Sequence, residues 1–257
     1  MSEILLSTLD EGVLTLTLNR PERLNALSTA LLADLTRALD VGVRAGARAV
    51  LITGAGRAFC SGADLADGDG IGADLGDTLA TYYHPLFLRL AGLDIPVVSA
   101  INGPAVGAGV ALALAADIVV MARSAYLQLG FVNIALVPDA GATWLVAKSA
   151  GRAKALELAL LGEAMSAQEA QDAGLVARVA DDDAAGETAL ALARKLAQGP
   201  TRAIGMIRKQ VAAALHHSLP ETMSIEAANQ SAAGHSADFQ EGVVAFREKR
   251  APRFQGD

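Results

Sequence analysis

The chain has 257 residues, of which 52% are hydrophobic and 19% charged, enough for one large domain with a sizeable core and too apolar for a disordered chain. A formal net charge of −7, with no basic stripe carrying interleaved aromatics, argues against a nucleic-acid or membrane-surface partner. Cys60 is the only cysteine, which rules out an internal disulfide, and His84, His216, His217 and His235 show no ligand spacing, so no metal is expected.

Met1-Ser2-Glu3-Ile4 runs directly into strand-like sequence without a basic-then-apolar leader, as expected of a soluble cytoplasmic protein. Over residues 12–18, Leu14, Leu16 and Leu18 alternate with Thr15 and Thr17, the period of a half-buried strand. A helix follows, with Ser28 as N-cap and Leu31, Leu35 and Leu39 on one stripe. Residues 48–53 read as a short buried strand closed by Gly54-Ala55-Gly56, and residues 68–77, rich in Gly and Asp, as a mobile loop. A helix through residues 84–90 leads to a second buried strand, 96–100, then a glycine-broken turn and an apolar helix from about 107 to 116. The longest apolar stretch, 95–121, is interrupted by Pro96, Asn102, Pro104 and Asp117 and does not read as a membrane span.

Strands alternating with helices over the first two-thirds predict an α/β domain with much parallel pairing. Beyond it the strands are expected to stop. Ser166-Ala167-Gln168-Glu169 forms a capping box opening a helix that ends near Gly174. Residues 187–197, 201–215 and 220–233 read as helices, and Pro200 is a natural joint between the α/β part and a helical tail.

Two segments share one architecture: a buried strand, a glycine-bearing turn, then small residues entering a helix. The first runs from Leu51-Ile52-Thr53-Gly54 to Phe59-Cys60-Ser61-Gly62-Ala63-Asp64-Leu65. The second runs from Val97-Val98-Ser99-Ala100 through Asn102-Gly103-Pro104 to Gly107-Ala108-Gly109. Small residues admit a ligand to the backbone, and a helix N-terminus leaves N–H groups free. Two such turns facing each other can supply two donors to one oxygen, although tight turns and close helix packing explain the same glycines. No Gly-Lys-Ser/Thr ending or dinucleotide spacing is present.

Arg20-Pro21-Glu22-Arg23-Leu24-Asn25-Ala26-Leu27, the 58–65 and 102–109 segments, Ala116-Asp117-Ile118, residues 136–143, Ala173-Gly174-Leu175-Val176, Glu241-Gly242, Phe246 and Lys249-Arg250 resemble the motifs of the crotonase (enoyl-CoA hydratase/isomerase) family in order and spacing. The resemblance covers nearly the whole chain. It implies a spiral of ββα units over residues 1–198 and a helical C-terminal trimerisation segment over 199–257, assembled as a homotrimer or homohexamer. It implies an acyl-CoA substrate, with coenzyme A entering as part of the thioester and no separate cofactor. The backbone N–H groups of Ala63 and Ala108 would hold the thioester oxygen as it becomes an enolate. Arg23, Leu24, Ala26, Ser61, Asp64, Leu65 and Gly107 would wall the CoA and acyl groups, and Phe246 and Lys249 would reach CoA on a neighbouring subunit.

Two departures bear on the chemistry. The family's two water-activating glutamates fall at Ala111 and Phe131 here, and neither can transfer a proton. A carboxylate stands instead at Asp139, where isomerases of the family carry their acid/base, and Tyr82-Tyr83-His84-Pro85-Leu86 resembles the same branch, related to phenylacetate degradation. One carboxylate suits an isomerase that moves a proton between C2 and C4, and an apolar pocket would raise its pKa. Judged alone, Asp139 reads as an N-cap for the helix leading into Trp144; within the family, catalysis is preferred. Nucleophilic attack by Asp139, with His84 and Trp144 as ring neighbours, is a minor alternative to a surface histidine and a core tryptophan. The expected activity is acyl-CoA isomerisation, with enoyl-CoA hydration or acyl-CoA binding without chemistry as the competing readings. Asp64 and Asp181-Asp182-Asp183 read as turn residues, Cys60 as a small buried side chain, and Arg202, Arg208 and Lys209 as helical surface charge or aids to CoA attraction.

Overall fold

A computed structural model describes residues 3–65 and 74–257. Two strands open the chain, β1 (Leu5–Asp10) and β2 (Val13–Leu18), joined at Glu11-Gly12. Both joining residues have positive φ, 47° and 77°, the two-residue turn whose twist matches an antiparallel hairpin. In β2, Leu14, Leu16 and Leu18 are buried while Thr15 and Thr17 are half-buried, as the alternation predicts. Helix α1 (Thr29–Arg44) starts where expected, with the Ser28 hydroxyl accepting from the Leu31 N–H, and buries Leu31, Leu35 and Leu39. Strand β3 (Ala49–Gly54) follows.

Residues 68–73 of the expected loop lie outside the described residues, and residues 74–77 at its end are described. Asp74 accepts from the N–H groups of Gly76 and Asp77 and caps the short helix α2 (Leu75–Thr78). A π-helical turn, Leu79–Tyr83, continues into α3 (His84–Ala91). Then come β4 (Val97–Ile101), β5 (Ala105–Val106), α4 (Ala108–Leu114), β6 (Ile118–Ala122) and β7 (Tyr126–Gln128). A helical segment, α5 (Ala142–Leu161), is broken at Gly151, followed by β8 (Met165–Ser166), α6 (Ala167–Asp172), β9 (Arg178–Ala180) and α7 (Ala185–Ala197). Helices α8 (Thr201–Ala214), α9 (Leu219–Gly234) and α10 (Ala237–Glu248) complete the described chain.

Strands β1-β2-β3-β4-β6-β9 form one sheet, antiparallel only at β1–β2, and β5-β7-β8 form a smaller second sheet. Strands β3 and β4 are buried nearly throughout, which is why they read as continuous apolar runs. Helix α7 lies across the parallel strands on Ala185, Ala189, Ala193 and Ala197, all buried, whose small side chains allow close approach to the sheet. The strands do not stop at two-thirds of the chain: β9 joins the main sheet. At three residues it is too short to carry a period, and its partner β6 supplies the order. Helix α10 was likewise not legible as an element of its own.

Capping at Ser166 is a reciprocal box with Glu169, and Gly174, at φ 78°, turns the chain after α6. Pro200 stands between α7 and α8, yet the joint is tied down. The Arg48 guanidinium donates to the Gly199 and Phe254 carbonyls and to the Thr201 hydroxyl, fastening the C-terminal chain to the start of β3. Among the described residues, no helix is long and apolar enough to cross a membrane.

Candidate active site

The two segments singled out by their shared architecture lie against each other. The Val106 N–H donates to the Cys60 carbonyl at 2.9 Å, and the N–H groups of Phe59 and Cys60 both reach the Pro104 carbonyl. Close approach is what the glycines allow. A methyl group on Gly62, whose φ is 93°, would stand 2.8 Å from the Val106 carbonyl oxygen and 3.4 Å from the Ala108 nitrogen. One on Gly109 would stand 2.3 Å from the Cys60 carbonyl oxygen, so α4 can begin there only without a side chain.

Leu27 aligns the first strip. Its N–H donates to the Gly62 carbonyl at 2.7 Å and its carbonyl accepts from the Asp64 N–H at 3.1 Å, a parallel bridge that turns the Ala63 N–H away from Leu27. On the second strip, Ala108 is the first residue of α4, where a helix leaves its N–H unsatisfied. Among the described residues neither the Ala63 nor the Ala108 N–H donates to a protein acceptor. Ala63 is exposed and Ala108 buried, so the pair opens outward from the core. Two free donors on adjoining strips can receive one anionic oxygen.

The Arg20–Leu27 motif buttresses these strips. Leu24 and Asn25 both take left-handed φ, 51° and 57°, and the buried Asn25 side chain pins that turn. Its amide donates to the carbonyls of Ala55 and Ala58 and accepts from the Arg20 N–H. Asn102 holds the same 54–58 turn from the other strip, donating to Gly56 and accepting from the Gly54 N–H. Asp64 is 6% exposed and forms an ion pair with Arg20 at 2.7 Å, while Arg20 also donates to the Ala26 carbonyl at 2.6 Å. Asp64 is therefore a buried partner in an ion pair and not merely a turn residue. Arg20→Met, which keeps the aliphatic stem, is expected to destabilise the protein by about 3 kcal/mol by leaving the carboxylate short of its cation. Urea unfolding reads this directly, and an unchanged midpoint would refute it.

Asp139 lies in the turn between the Phe131–Ile134 single-turn helix and α5. Its Oδ1 is buried with no hydrogen-bond partner among the described residues. Burial pushes the carboxyl up to about 6 from its ordinary 3.8, opposed by the nearby His84. It is not the cap of α5: the helix starts at Ala142 with Gly141, at φ 86°, in the cap position, and Asp139 contributes only its backbone carbonyl to the Ala142 N–H. Ala140, at φ 50°, is held in the left-handed region that a β-carbon disfavours, so this turn presents its carboxylate under local strain. Ala111 and Phe131 stand where the resemblance puts the family's two glutamates. Ala111 is fully buried, and the Phe131 ring stands 3.8 Å from where a Gly107 β-carbon would be.

Tyr83, missed as a site residue, lies between these groups. It is 5% exposed and donates its hydroxyl to the Leu27 carbonyl at 3.4 Å. Burial raises its phenol, and Asp139, Cys60 and Asp64 raise it further, which gathers both the carboxylate and the first donor strip around one ring. Cys60 is fully buried, and burial pushes its thiol up to about 12, so it is inert at neutral pH as expected. His84 is exposed at the start of α3.

Of the expected wall residues, Leu24, Ala26, Ser61 and Gly107 lie in or beside the paired strips. The Ser61 hydroxyl donates to the Arg23 carbonyl. Arg23 and Leu65 are exposed at their edge, Leu65 as the last described residue before position 74. Phe246 is 86% exposed on α10 and Lys249 is its left-handed C-cap, so both stand apart on the helical flank. Trp144 is not a core tryptophan: it is 42% exposed and stacks on His216 at 5.5 Å. Arg208 is committed to Asp117 and to the carbonyls of Leu90, Ala91 and Leu93, and Lys209 pairs with Asp94, so neither is free surface charge. Asp181 and Asp182 hold Arg123 and the Ser124 N–H at the β6–β7 turn.

Glycine-paired strips with two N–H groups that meet no acceptor among the described residues form a site able to receive an anionic oxygen. Residues 8–257 match the family model for enoyl-CoA hydratase/isomerase, and the chain belongs to that family. It is 46% identical over 261 residues to a 1,2-epoxyphenylacetyl-CoA isomerase of Escherichia coli, covering all of both chains. It is 44% identical to a probable enoyl-CoA hydratase of Rhodobacter capsulatus, covering 96% of each. The crystal structure of an enoyl-CoA hydratase from Bacillus anthracis superposes with a TM-score of 0.94 at 32% identity, over 99% of this chain and 100% of that one. The crotonase-like α/β fold read from the motifs is therefore the fold of this protein.

Proposed function

We propose that the protein is an acyl-CoA isomerase that shifts a double bond, or rearranges a ring-derived acyl-CoA, through an enolate. The carrying observation is Asp139, a carboxylate with one buried, unpartnered oxygen, in a site whose two glutamate positions are alanine and phenylalanine. The Asp139 carboxylate removes a proton from C2, and the electron pair of that C–H bond moves onto the thioester oxygen. The N–H groups of Ala63 and Ala108 stabilise this oxygen, and Asp139 returns the proton at C4, or the sequence runs in reverse. Leu24, Ala26, Ser61 and Gly107 would line the acyl-CoA, with Arg23 and Leu65 at its edge and Asp64 buried behind it on Arg20.

The base form is the carboxylate, so kcat/KM is expected to rise with pH through about 6 and to fall in acid. A profile flat across that region would count against Asp139 as the base. Hydration is the second reading, favoured by the relative from R. capsulatus, and it would require Asp139 to activate water alone. Supplying a 2-enoyl-CoA and a 3-enoyl-CoA separately, and reading mass together with the ultraviolet absorbance of the conjugated enoyl thioester, separates the two readings. An isomer keeps the substrate mass, and 3-hydroxyacyl-CoA gains one water.

The same reading has residues 1–198 as the catalytic core and 199–257 as an oligomerisation segment of a cytoplasmic homotrimer or homohexamer, with Phe246 and Lys249 serving a neighbouring subunit's CoA. Exposed Ile207, Val211, Leu219, Met223 and Phe239 on α8, α9 and α10 support a covered face there.

A further inference from the structure

We infer that Tyr83 is a positioning residue for the reaction, its hydroxyl holding the Leu27 carbonyl and, through it, the aim of the Ala63 N–H. The inference rests on the reading of that N–H as a donor to the enolate oxygen. Leu27 is the only described residue bonded to the peptide groups on both sides of Ala63: its N–H takes the Gly62 carbonyl, and its carbonyl takes the Asp64 N–H. Whatever displaces the Leu27 carbonyl therefore rotates the strip on which the donor is carried. Tyr83 reaches that carbonyl from a different element, the π-helical turn before α3, and among the described residues is the one side chain that bonds it.

The phenol is suited to the task. It is buried, its ring belongs to the hydrophobic core, and burial, helped by the Asp139 and Asp64 carboxylates, keeps it protonated. A protonated hydroxyl remains a donor throughout the range in which Asp139 titrates. The π-helical turn gives the placement a local cause. One extra residue per turn shifts Tyr83 relative to the register α3 would otherwise impose, and such single-turn insertions recur at functional sites. Tyr82, its neighbour, points outward at 42% exposed. Only one of the two adjacent tyrosines is thus built into the site.

The test uses benzoyl-CoA with a heavy-carbon-labelled carbonyl, a thioester with no proton to lose, bound to the whole protein and followed by infrared difference spectroscopy. In the unaltered protein the carbonyl band is expected to move to lower frequency on binding. Tyr83→Phe, which keeps the ring, should lose about half of that movement and about tenfold in kcat on an enoyl-CoA, with KM nearly unchanged. Tyr82→Phe should alter none of these. A Tyr83→Phe band that moves as far as the unaltered one overturns the role of Tyr83 while leaving the donor pair intact. No movement in the unaltered protein overturns the donor reading and this inference with it. Should Tyr83→Phe fold poorly, 3-fluorotyrosine at position 83 keeps the hydroxyl as a stronger donor. A band movement at least as large as in the unaltered protein then supports the inference, and a smaller one overturns it.

Discussion

Asp139→Asn is expected to lower kcat for double-bond migration by about a thousandfold while leaving the affinity for an acyl-CoA nearly unchanged. Asparagine keeps the size and shape of the side chain but cannot accept the C2 proton. Because the rest of the site is untouched, the loss should appear in kcat and not in the Kd for a saturated acyl-CoA. The same variant carries a stability signature with a definite sign. Asp139 has a folded pKa of about 6, raised from 3.8 by burial. Its contribution to stability is therefore fully present below 3.8 and lost as pH rises through about 6. Asp139→Asn should accordingly raise Tm above that range and leave it nearly unaltered in acid. Calorimetry at the two extremes checks this, and a Tm lowered at high pH would mean that the carboxylate has stabilising partners when ionised.

Ala108→Pro is expected to cost between about a hundredfold and a thousandfold in kcat by deleting one of the two backbone donors. The substitution exploits position. Ala108 is the first residue of α4, where proline is well tolerated because its nitrogen has no intrahelical acceptor. The residue before it is Gly107, at φ 54° and ψ −126°, which has no β-carbon to meet the ring. The fold should therefore survive, with Tm within a few degrees of the unaltered protein. Loss of activity with loss of the fold would be uninformative about the donor in most proteins, but here the helix position separates the two. A folded Ala108→Pro protein with full turnover would remove the Ala108 N–H from the mechanism.

The parallel sheet was legible because β3 and β4 are buried on both faces and so spell unbroken apolar runs, and α1 because Ser28 and the leucine stripe mark its start and its face. The short strands β8 and β9 were not legible: two or three residues hold no period, and only pairing with β7 and β6 makes them strands. The donor strips were visible as small-residue turns, but what brings them together was not. That work falls to Asn25 and Asn102, whose amides meet on one turn from segments far apart in the chain. Trp144 misled because a large aromatic usually seeks the core, whereas this one is half covered by His216. The N-cap reading of Asp139 could be removed only by the structure, where Gly141 takes the cap. Tyr83 carried no signal of its own, since its neighbour Tyr82 is chemically identical and only the π-helical turn distinguishes them.

Turnover of a 3-enoyl-CoA in heavy water, read by mass spectrometry of the product, tests the enolate mechanism most directly. Passage of a proton through one exchangeable carboxyl predicts 2-enoyl-CoA carrying deuterium at C2 or C4, with little hydrated product, and no incorporation by Asp139→Asn. Efficient hydration of a 2-enoyl-CoA supplied separately, with no migration of the 3-enoyl-CoA, or deuterium uptake that survives Asp139→Asn, would contradict the account.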